Sequence, residues 1–510
     1  MNRVIYAAAI AALATMGATA GTAQAQQQEN KLRWASTVSV TAPDPYYNFH
    51  REAMILNGQL VWDTLVYRNP ETGEYEPLLA TSWEWTDDVT LVFTLREGVK
   101  FHDGSDFDAA DVVYTYNYIS NPDNKINVQS NVNWIKDAEA LGDHKVQLNL
   151  KAPFPPALEY VSSLHAMLPE GFYGDSNAAN IDGGLIGTGP YKFDNFTPGT
   201  SMSLSKWEGY FDGSPKGDPA LGAIEYRAIP DPSTQMAELM GGGLDWIWYV
   251  PADQAEPLSG VPGVAVNPAE TMRISFLSFN LRDMDGGNPL QDIRVRQAIA
   301  HAIDRETIVR QVVGQGSGVV TSPCFRTQFG CPADVPGYGY DPEKAKALLA
   351  EAGVASGLTL DLVANSSRDR AWTEAVAGYL NAVGIQLNVQ MLQYAAVSER
   401  VATNRTHLFM GDWGSYGIND VSALLNNFFT MGADDMARDE EVSNALKAAA
   451  ATINQEERLA NYNLATRRIN EQAMWHPLWT NPVTYAHSEN LDFRSFPDEN
   501  PRFYLVKWKD

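Results

Sequence analysis

Two patterns of apolar residues alternate along this chain. In residues 224–229 and 358–363 every second position is apolar, which is typical of a half-buried β-strand. The runs over 232–240 and 371–383 predict helices, and a further strand is predicted over 385–392. Strands that alternate with helices in this way predict an α/β fold.

Residues that favour helix ends mark several of these elements. Asp231 and Asp292 are predicted to be N-caps. Pro342 is predicted to lie in the first turn of a helix that stops at Gly353. The helix after Asp292 carries its apolar residues on one face. Two late helices are predicted over 439–453 and 454–472.

The amino-terminal pattern is that of a secretory signal. An Ala-rich apolar run over 4–20 follows the basic Arg3, and Ala23-Gln24-Ala25 supplies an A-x-A cleavage site. The run is short and interrupted, so a membrane span is the poorer interpretation. No cysteine lies near the cleavage site, so we expect no lipid anchor. Residues 1–25 are therefore predicted to be removed, which would leave a protein that diffuses freely in a bacterial periplasm.

Cysteine content and net charge limit the kinds of site and partner that the chain can have. The chain has two cysteines, Cys324 and Cys331, in one polar loop, where a local disulfide is favoured over a metal site that would need more ligands. Its formal net charge of −25 makes nucleic acid an improbable partner, because phosphate binding needs a basic surface. Acidity favours solubility and still permits a cationic solute.

The length of the chain indicates how many lobes it forms. With 510 residues and 45% hydrophobic content, it is too long for one ordinary core, so two or three lobes are expected. There is no repeat of fixed period, no low-complexity tract and no long charged linker. We therefore expect lobes through which the chain passes more than once.

Several sequence blocks, in a fixed order, resemble one family. The chain is similar to the family 5 extracellular solute-binding proteins of peptide-, nickel- and opine-type ABC importers, of which the dipeptide- and oligopeptide-binding proteins are examples. The resemblance covers essentially the whole chain after residue 25. The blocks are 78–85 (LLATSWEW), 93–104 (FTLREGVKFHDG), 110–113 (ADVV), 187–191 (GTGPY), 279–280 with 292–299 (FN, DIRVRQAI) and 340–349 (YDPEKAKALL).

This resemblance implies a two-lobed periplasmic-binding-protein clamshell of type II, with an extra subdomain in the first lobe. The lobes would close around a solute at their interface. Laid onto the sequence, the pattern assigns 26–60, 185–270 and 480–510 to lobe I, 61–184 to the extra subdomain and 271–479 to lobe II.

A glycine-rich loop over 411–420 is the first candidate for ligand binding. In peptide-binding relatives the matching loop carries an Asp three residues after a Trp, and this Asp receives the amino terminus of the peptide. Here Tyr416 stands three residues after Trp413, so Asp412 or Asp420 would have to serve instead. The alternative for Trp413 is that its ring is simply packed.

Other candidates are aromatic or basic. Trp246 and Trp248 share one face of an alternating segment and Tyr249 takes the other; these rings could stack on a solute or fill the core. Two arginines follow a predicted strand, where either could bind a ligand carboxylate or instead pair with Asp369 or solvent. They are Arg368 and Arg370; weaker candidates, Arg273 and Asn280, flank the strand over 274–279.

The leading functional hypothesis is a non-catalytic binding protein that delivers a solute to an inner-membrane permease. A short peptide or peptide-like compound is the expected solute, and an oligosaccharide or another uncharged solute is the alternative. A secreted hydrolase is the alternative from another class, but no G-x-S-x-G, H-E-x-x-H or Walker motif supports it. We expect a monomer with no cofactor and no metal.

Overall fold

A computed structural model describes residues 30–48, 50–174, 185–354, 357–366 and 370–509. The predicted signal sequence and Arg368 lie outside these ranges. The strands are β1 (Lys31–Ser36), β2 (Val66–Arg68), β3 (Tyr75–Pro77), β4 (Ala80–Asp87), β5 (Thr90–Leu95), β6 (Ile135–Gly142), β7 (Lys145–Leu150), β8 (Tyr191–Thr197), β9 (Ser201–Lys206), β10 (Ala223–Ala228), β11 (Trp246–Ile247), β12 (Val264–Phe279), β13 (Leu358–Asn365), β14 (Ile385–Leu392), β15 (Leu408–Trp413), β16 (Trp475–Ser488), β17 (Leu491–Asp492) and β18 (Lys507–Trp508).

Helices lie between these strands. The α-helices are α1 (Arg51–Ile55), α2 (Ala109–Ser120), α3 (Ala157–Ser163), α4 (Pro232–Met240), α5 (Ala252–Ser259), α6 (Ile293–Ala302), α7 (Arg305–Ile308), α8 (Pro342–Glu351), α9 (Arg370–Ala382), α10 (Tyr394–Ala402), α11 (Ser422–Phe429), α12 (Glu440–Ala450) and α13 (Gln455–Glu471). Two π-helices, Leu56–Val61 and Val309–Val313, continue α1 and α7. Short 3₁₀ turns are Pro122–Asn124, Gln129–Asn131, Pro289–Gln291, Ser415–Gly417 and Phe503–Leu505.

The predicted helix starts are confirmed in detail. Asp231 accepts a hydrogen bond from Thr234 N at the start of α4, Asp292 accepts from Arg294 N at α6, and Asp341 accepts from Lys344 N at α8, which has Pro342 in its first turn. The α/β prediction is confirmed as well, because strands and helices alternate through most of the described chain.

One ten-stranded sheet passes through both lobes in the order β14-β13-β15-β12-β16-β11-β1-β10-β9-β8. The long strands β12 and β16 pair antiparallel along most of their length, and their register shifts between Glu270 and Ile274. A four-stranded antiparallel sheet, β4-β5-β7-β6, forms the extra subdomain together with α2. On the predicted bounds of the lobes, the chain passes between them more than once.

The buried apolar clusters divide between the two lobes. One apolar cluster joins lobe I to the extra subdomain and contains Trp34, Trp62 and Phe93. The clusters around Phe276 and around Leu362 belong to lobe II. Since each lobe has its own core, the two can move as units. No helix in the described part of the chain is both long and apolar enough to cross a membrane.

Candidate functional site

A cavity lies where lobe I, the extra subdomain and lobe II meet. It encloses about 50 Å³. Lobe I contributes the π-helix after α1 and the carboxyl-terminal segment, and lobe II contributes the 3₁₀ turn that contains Tyr416. Polar and charged lining residues include Gln59, Arg68, Lys216, Tyr416, Asp498 and Arg502.

The wall on the lobe I side is fixed by the glycine block of the sequence. The turn at Gly187 and Gly189 packs directly on the end of the π-helix, where Gly189 N donates to Val61 O at 2.9 Å. A Cβ atom on Gly187 would lie 2.0 Å from Val61 O, so only glycine permits this approach. The GTGPY block thus supports the cavity without contacting it.

Lys216 is held at the cavity by buried oxygen atoms. Its Nζ lies 2.7 Å from a carboxylate oxygen of Asp63 and donates to Gln59 O at 2.9 Å. Asp63 also accepts from Thr188 Oγ1 at 3.2 Å and from Tyr210 OH at 3.3 Å. The charge of Lys216 is therefore balanced by the carboxylate of Asp63 before any solute binds.

A second buried ion pair joins Arg502 to Asp498. Arg502 Nη1 donates to Asp498 Oδ1 at 2.7 Å and also to Asn500 O at 2.7 Å. Burial alone would raise the pKa of the Asp498 carboxyl, but the Arg502 guanidinium outweighs this effect and lowers that pKa. Asp498 is thus a carboxylate at neutral pH.

The extra subdomain reaches across to lobe II through Glu159. Asn419 N donates to Glu159 Oε2 at 2.8 Å, and Arg68 Nε lies 3.2 Å from Glu159 Oε1. Tyr75 OH donates to the same carboxylate at 2.5 Å. Burial raises the pKa of the Glu159 carboxyl, although Arg68 opposes that rise. These contacts hold the lobes together beside the cavity.

Within the glycine-rich loop, Tyr416 is the predicted residue that lines the cavity. Its side chain is 43% exposed. Trp413 is half-buried: its Nε1 donates to Ala423 O at 3.1 Å and its ring packs edge-on against Phe428. Packing thus accounts for Trp413, while Tyr416 is positioned to meet a solute.

The acids of this loop have partners inside the protein. Asp412 pairs with Arg273, whose Nε lies 3.2 Å from Glu499, a residue that also pairs with Arg51. Burial would lower the pKa of Arg273, but Glu499 and Asp412 raise it. This chain of ion pairs links lobe I to lobe II beside the cavity.

Two predicted ligand contacts, Asp420 and Asn280, lie outside the cavity lining. Asp420 is buried in lobe II, where it pairs with Arg458 and accepts from Tyr462 OH at 3.1 Å. Asn280 is fully buried and its Nδ2 donates to Asn404 Oδ1 and to Thr406 O, each at 2.7 Å. Both side chains hold lobe II together, because their polar groups are used within it.

For the tryptophan pair, core packing is the alternative that the structure supports. Trp246 is 0% and Trp248 4% exposed, and both belong to the lobe I core with Trp34. Neither ring is among the residues that line the cavity in the described part of the chain. Tyr249 is 44% exposed and lies outside the cavity lining. Arg370 is exposed and lies 3.7 Å from Glu374.

Most of the polar cavity lining was not predicted. Gln59, Arg68, Lys216 and Arg502 come from distant parts of the chain, and none lies in a motif with recognisable chemistry. A signal exists only for Lys216, which follows Ser214-Pro215 in a turn-forming segment after the aromatic Tyr210. These four side chains come together at the cavity only in the folded protein.

The loop that the disulfide closes borders this region. Cys324 and Cys331 form the predicted disulfide. The loop it closes pairs with the glycine-rich loop, since Phe329 N donates to Asn419 O at 2.9 Å and Val421 N donates to Phe329 O at 3.1 Å. The disulfide therefore has a structural role next to the cavity.

Comparison with known proteins agrees with this architecture. Residues 74–435 match the model of the bacterial extracellular solute-binding proteins, family 5. Among curated proteins, the chain is 26% identical to heme-binding protein A of Haemophilus influenzae, with 83% of this chain and 82% of that protein covered. It is also 26% identical to the dipeptide-binding protein of Escherichia coli, with 81% and 82% covered.

Solved structures give the same result for the fold. NikA from Brucella suis in complex with Fe(III)-EDTA superposes with a TM-score of 0.82 at 24% identity, covering 94% of this chain and 100% of that one. DppA from Helicobacter pylori in complex with the peptide STSA gives 0.73 at 23% identity, covering 94% and 98%. The two-lobed clamshell is thus confirmed. The chain belongs to the bacterial extracellular solute-binding proteins of family 5, the solute-binding proteins of ABC importers.

Proposed function

We propose that this protein captures a short peptide or peptide-like solute in the interlobe cavity and delivers it to an inner-membrane ABC permease from the periplasm. The observation that carries the proposal is the cavity itself. Side chains from both lobes and from the extra subdomain enclose it, so a solute bound there would be desolvated on all sides. The similarity to the dipeptide-binding protein of Escherichia coli supports a peptide-like solute.

The polarity of the cavity favours a solute with polar groups over an apolar one. Arg68, Lys216 and Arg502 line it together with Asp498, and each cation already has a carboxylate partner. A solute of large net charge would leave a buried charge without compensation. A peptide, which carries charges of both signs and several amide groups, suits this balance.

An oligosaccharide is less well supported than the sequence suggested. That alternative depended on the aromatic faces of Trp246 and Trp248, and both rings are packed in the core. Tyr416 is the exposed aromatic residue in the cavity lining. One ring can pack on a peptide side chain or backbone as readily as on a sugar.

A binding experiment tests the proposal. Ligand-free protein, prepared by unfolding and refolding, is titrated calorimetrically with trialanine, with longer peptides and with maltotriose. We expect peptide binding, and we expect Tyr416→Ala to weaken it about fivefold, on the scale of one aromatic contact. Tyr340→Ala is the matched control, because Tyr340 is 49% exposed and lies outside the cavity lining. Binding of maltotriose alone would refute the peptide proposal.

A further inference from the structure

The side-chain oxygen of Gln59 has no hydrogen-bond partner at the cavity in the described part of the chain. Gln59 lies on the π-helix Leu56–Val61 and lines the interlobe cavity. Its Oε1 atom is buried and accepts no hydrogen bond from any residue that the structure describes. A buried acceptor without a donor is unfavourable, so native proteins rarely keep one without a reason.

Two cations of the cavity wall, Lys216 and Arg502, donate to groups other than the Gln59 side chain. Lys216 Nζ is held by Asp63 at 2.7 Å, by the main-chain oxygen of Gln59 at 2.9 Å and by Trp62 O at 3.5 Å. Arg502 donates to Asp498 and to Asn500 O. The ion pairs of these two cations fix parts of the cavity wall, and neither cation donates to the Gln59 side-chain oxygen.

The local backbone explains how Gln59 reaches this position. A π-helix has a wider turn than an α-helix, is rare, and occurs often at functional sites. Here it follows α1 directly, and the turn at Gly189 is bonded to its last residue, Val61. The anchored end fixes the wide turn, so Gln59 is presented to the cavity from a rigid support.

We infer that Gln59 is a specificity-determining residue whose side-chain oxygen accepts a hydrogen bond from an N–H or O–H group of the solute. This inference rests on the proposed function. It assigns a donor, such as a peptide amide or an ammonium group, to the part of the solute next to the π-helix. The carboxylate of Asp498 also lines the cavity, so a second acceptor is available to the same donor-bearing solute.

Two substitutions separate this role from a structural one. Gln59→Leu removes the acceptor at similar volume, and we expect trialanine to bind about tenfold more weakly in calorimetric titration. Gln59→Glu keeps acceptor oxygens and removes the amide donors, so its affinity should stay within about threefold of wild type. In the absence of peptide, Gln59→Leu should unfold at the same temperature as wild type or higher, because an unsatisfied buried group is gone.

Gln147→Leu is the matched control: Gln147 lies on β7, where its amide donates to Asn149 Oδ1 at 2.9 Å, and its replacement should leave affinity unchanged. Unchanged trialanine binding by Gln59→Leu would overturn the inference and leave the proposed function standing. A loss with Gln59→Glu as large as with Gln59→Leu would also overturn it, because the solute would then present an acceptor. If wild type binds no peptide, the proposed function fails and this inference fails with it.

Discussion

His102 shows how one side chain can hold a turn together. Its Nε2 donates to Gly189 O at 2.9 Å, and Gly187 N donates to its Nδ1 at 3.3 Å. Both bonds require the neutral imidazole with the proton on Nε2. Because the same turn packs on the π-helix, the protonation of His102 affects the support of the cavity wall.

The stability of the protein should therefore depend on the charge of His102. Burial lowers the pKa of His102 in the fold, whereas the unfolded chain titrates near the ordinary value of about 6.5. The stabilisation is complete above that value and is lost as the pH falls from it through the lower pKa of His102 in the fold. We predict that the free energy of unfolding in urea falls more between pH 7 and pH 5 for wild type than for His102→Gln.

The other buried histidines, among them His165, are present in both proteins, so the difference between the two reports on His102. Equal losses in wild type and variant would show that the imidazole does not hold the turn. A difference limited to high pH would contradict the direction of the pKa shift.

At the level of single residues, the helix caps could be predicted from the sequence, but the residues that line the cavity could not. The capping roles of Asp231 and Asp292 depend on residues two or three positions away, so the sequence contains the necessary information. The pair between Asp63 and Lys216 joins positions more than 150 residues apart. Such a pair has no local signature, and only the packing of the lobe brings it together.

The loop closed by the disulfide acts as one structural element. Gln328 Nε2 donates to Ile418 O at 2.9 Å, and Phe329 exchanges main-chain hydrogen bonds with the segment around Asn419. The loop therefore supports the segment that carries Tyr416 into the cavity and Asn419 to the extra subdomain. Cys324 and Cys331 close it over a separation of seven residues.

Removing the disulfide should loosen this element. For a loop of this length the entropy of the unfolded chain predicts a loss of about 2–3 kcal/mol in the free energy of unfolding for the double variant Cys324→Ser/Cys331→Ser. Urea unfolding measures the loss, and reduced wild type is the matching control. Faster amide hydrogen exchange at Ile418 and Asn419, with α13 unchanged, would locate the effect. An unchanged unfolding midpoint would contradict the prediction.

Elements were easier to predict when their pattern was local. The strand predicted over 385–392 has those bounds in β14, and the helix predicted over 232–240 has those bounds in α4. No helix was predicted over 51–61, so the π-helix Leu56–Val61 was missed together with α1. The length of β12 was also underestimated, since Pro268 and Glu270 interrupt its alternation.

At the scale of the whole molecule, the structure has its lobes in contact. A cavity of about 50 Å³ is far smaller than the roughly 300–1,000 Å³ of ordinary ligand pockets. A peptide can therefore enter only if the lobes or the turn at Tyr416 move apart. The sequence predicted two lobes that close on a solute. It did not predict which residues touch, because Arg68, Glu159 and Asn419 come from separate segments.

The contact between Glu159 and Asn419 should bias the molecule toward the closed form. In Glu159→Gln the bond from Asn419 N is made to a neutral oxygen, which weakens it by about 1 kcal/mol and shifts the closure equilibrium roughly fivefold. Ligand-free variant should then have a larger radius of gyration in small-angle X-ray scattering. Its affinity for trialanine should fall by no more than that factor, because the apparent affinity follows the closed fraction and only the closed form binds tightly.

Glu139→Gln is the matched control, since Glu139 is exposed on β6 of the same subdomain. A saturating peptide should return Glu159→Gln to the compact dimensions of wild type, because the solute favours the closed state by its own contacts. If ligand-free Glu159→Gln scatters like wild type and binds with equal affinity, the interlobe bond contributes nothing to closure. Closure would then depend on the ion pairs of Arg273 with Asp412 and Glu499, which also join lobe II to lobe I.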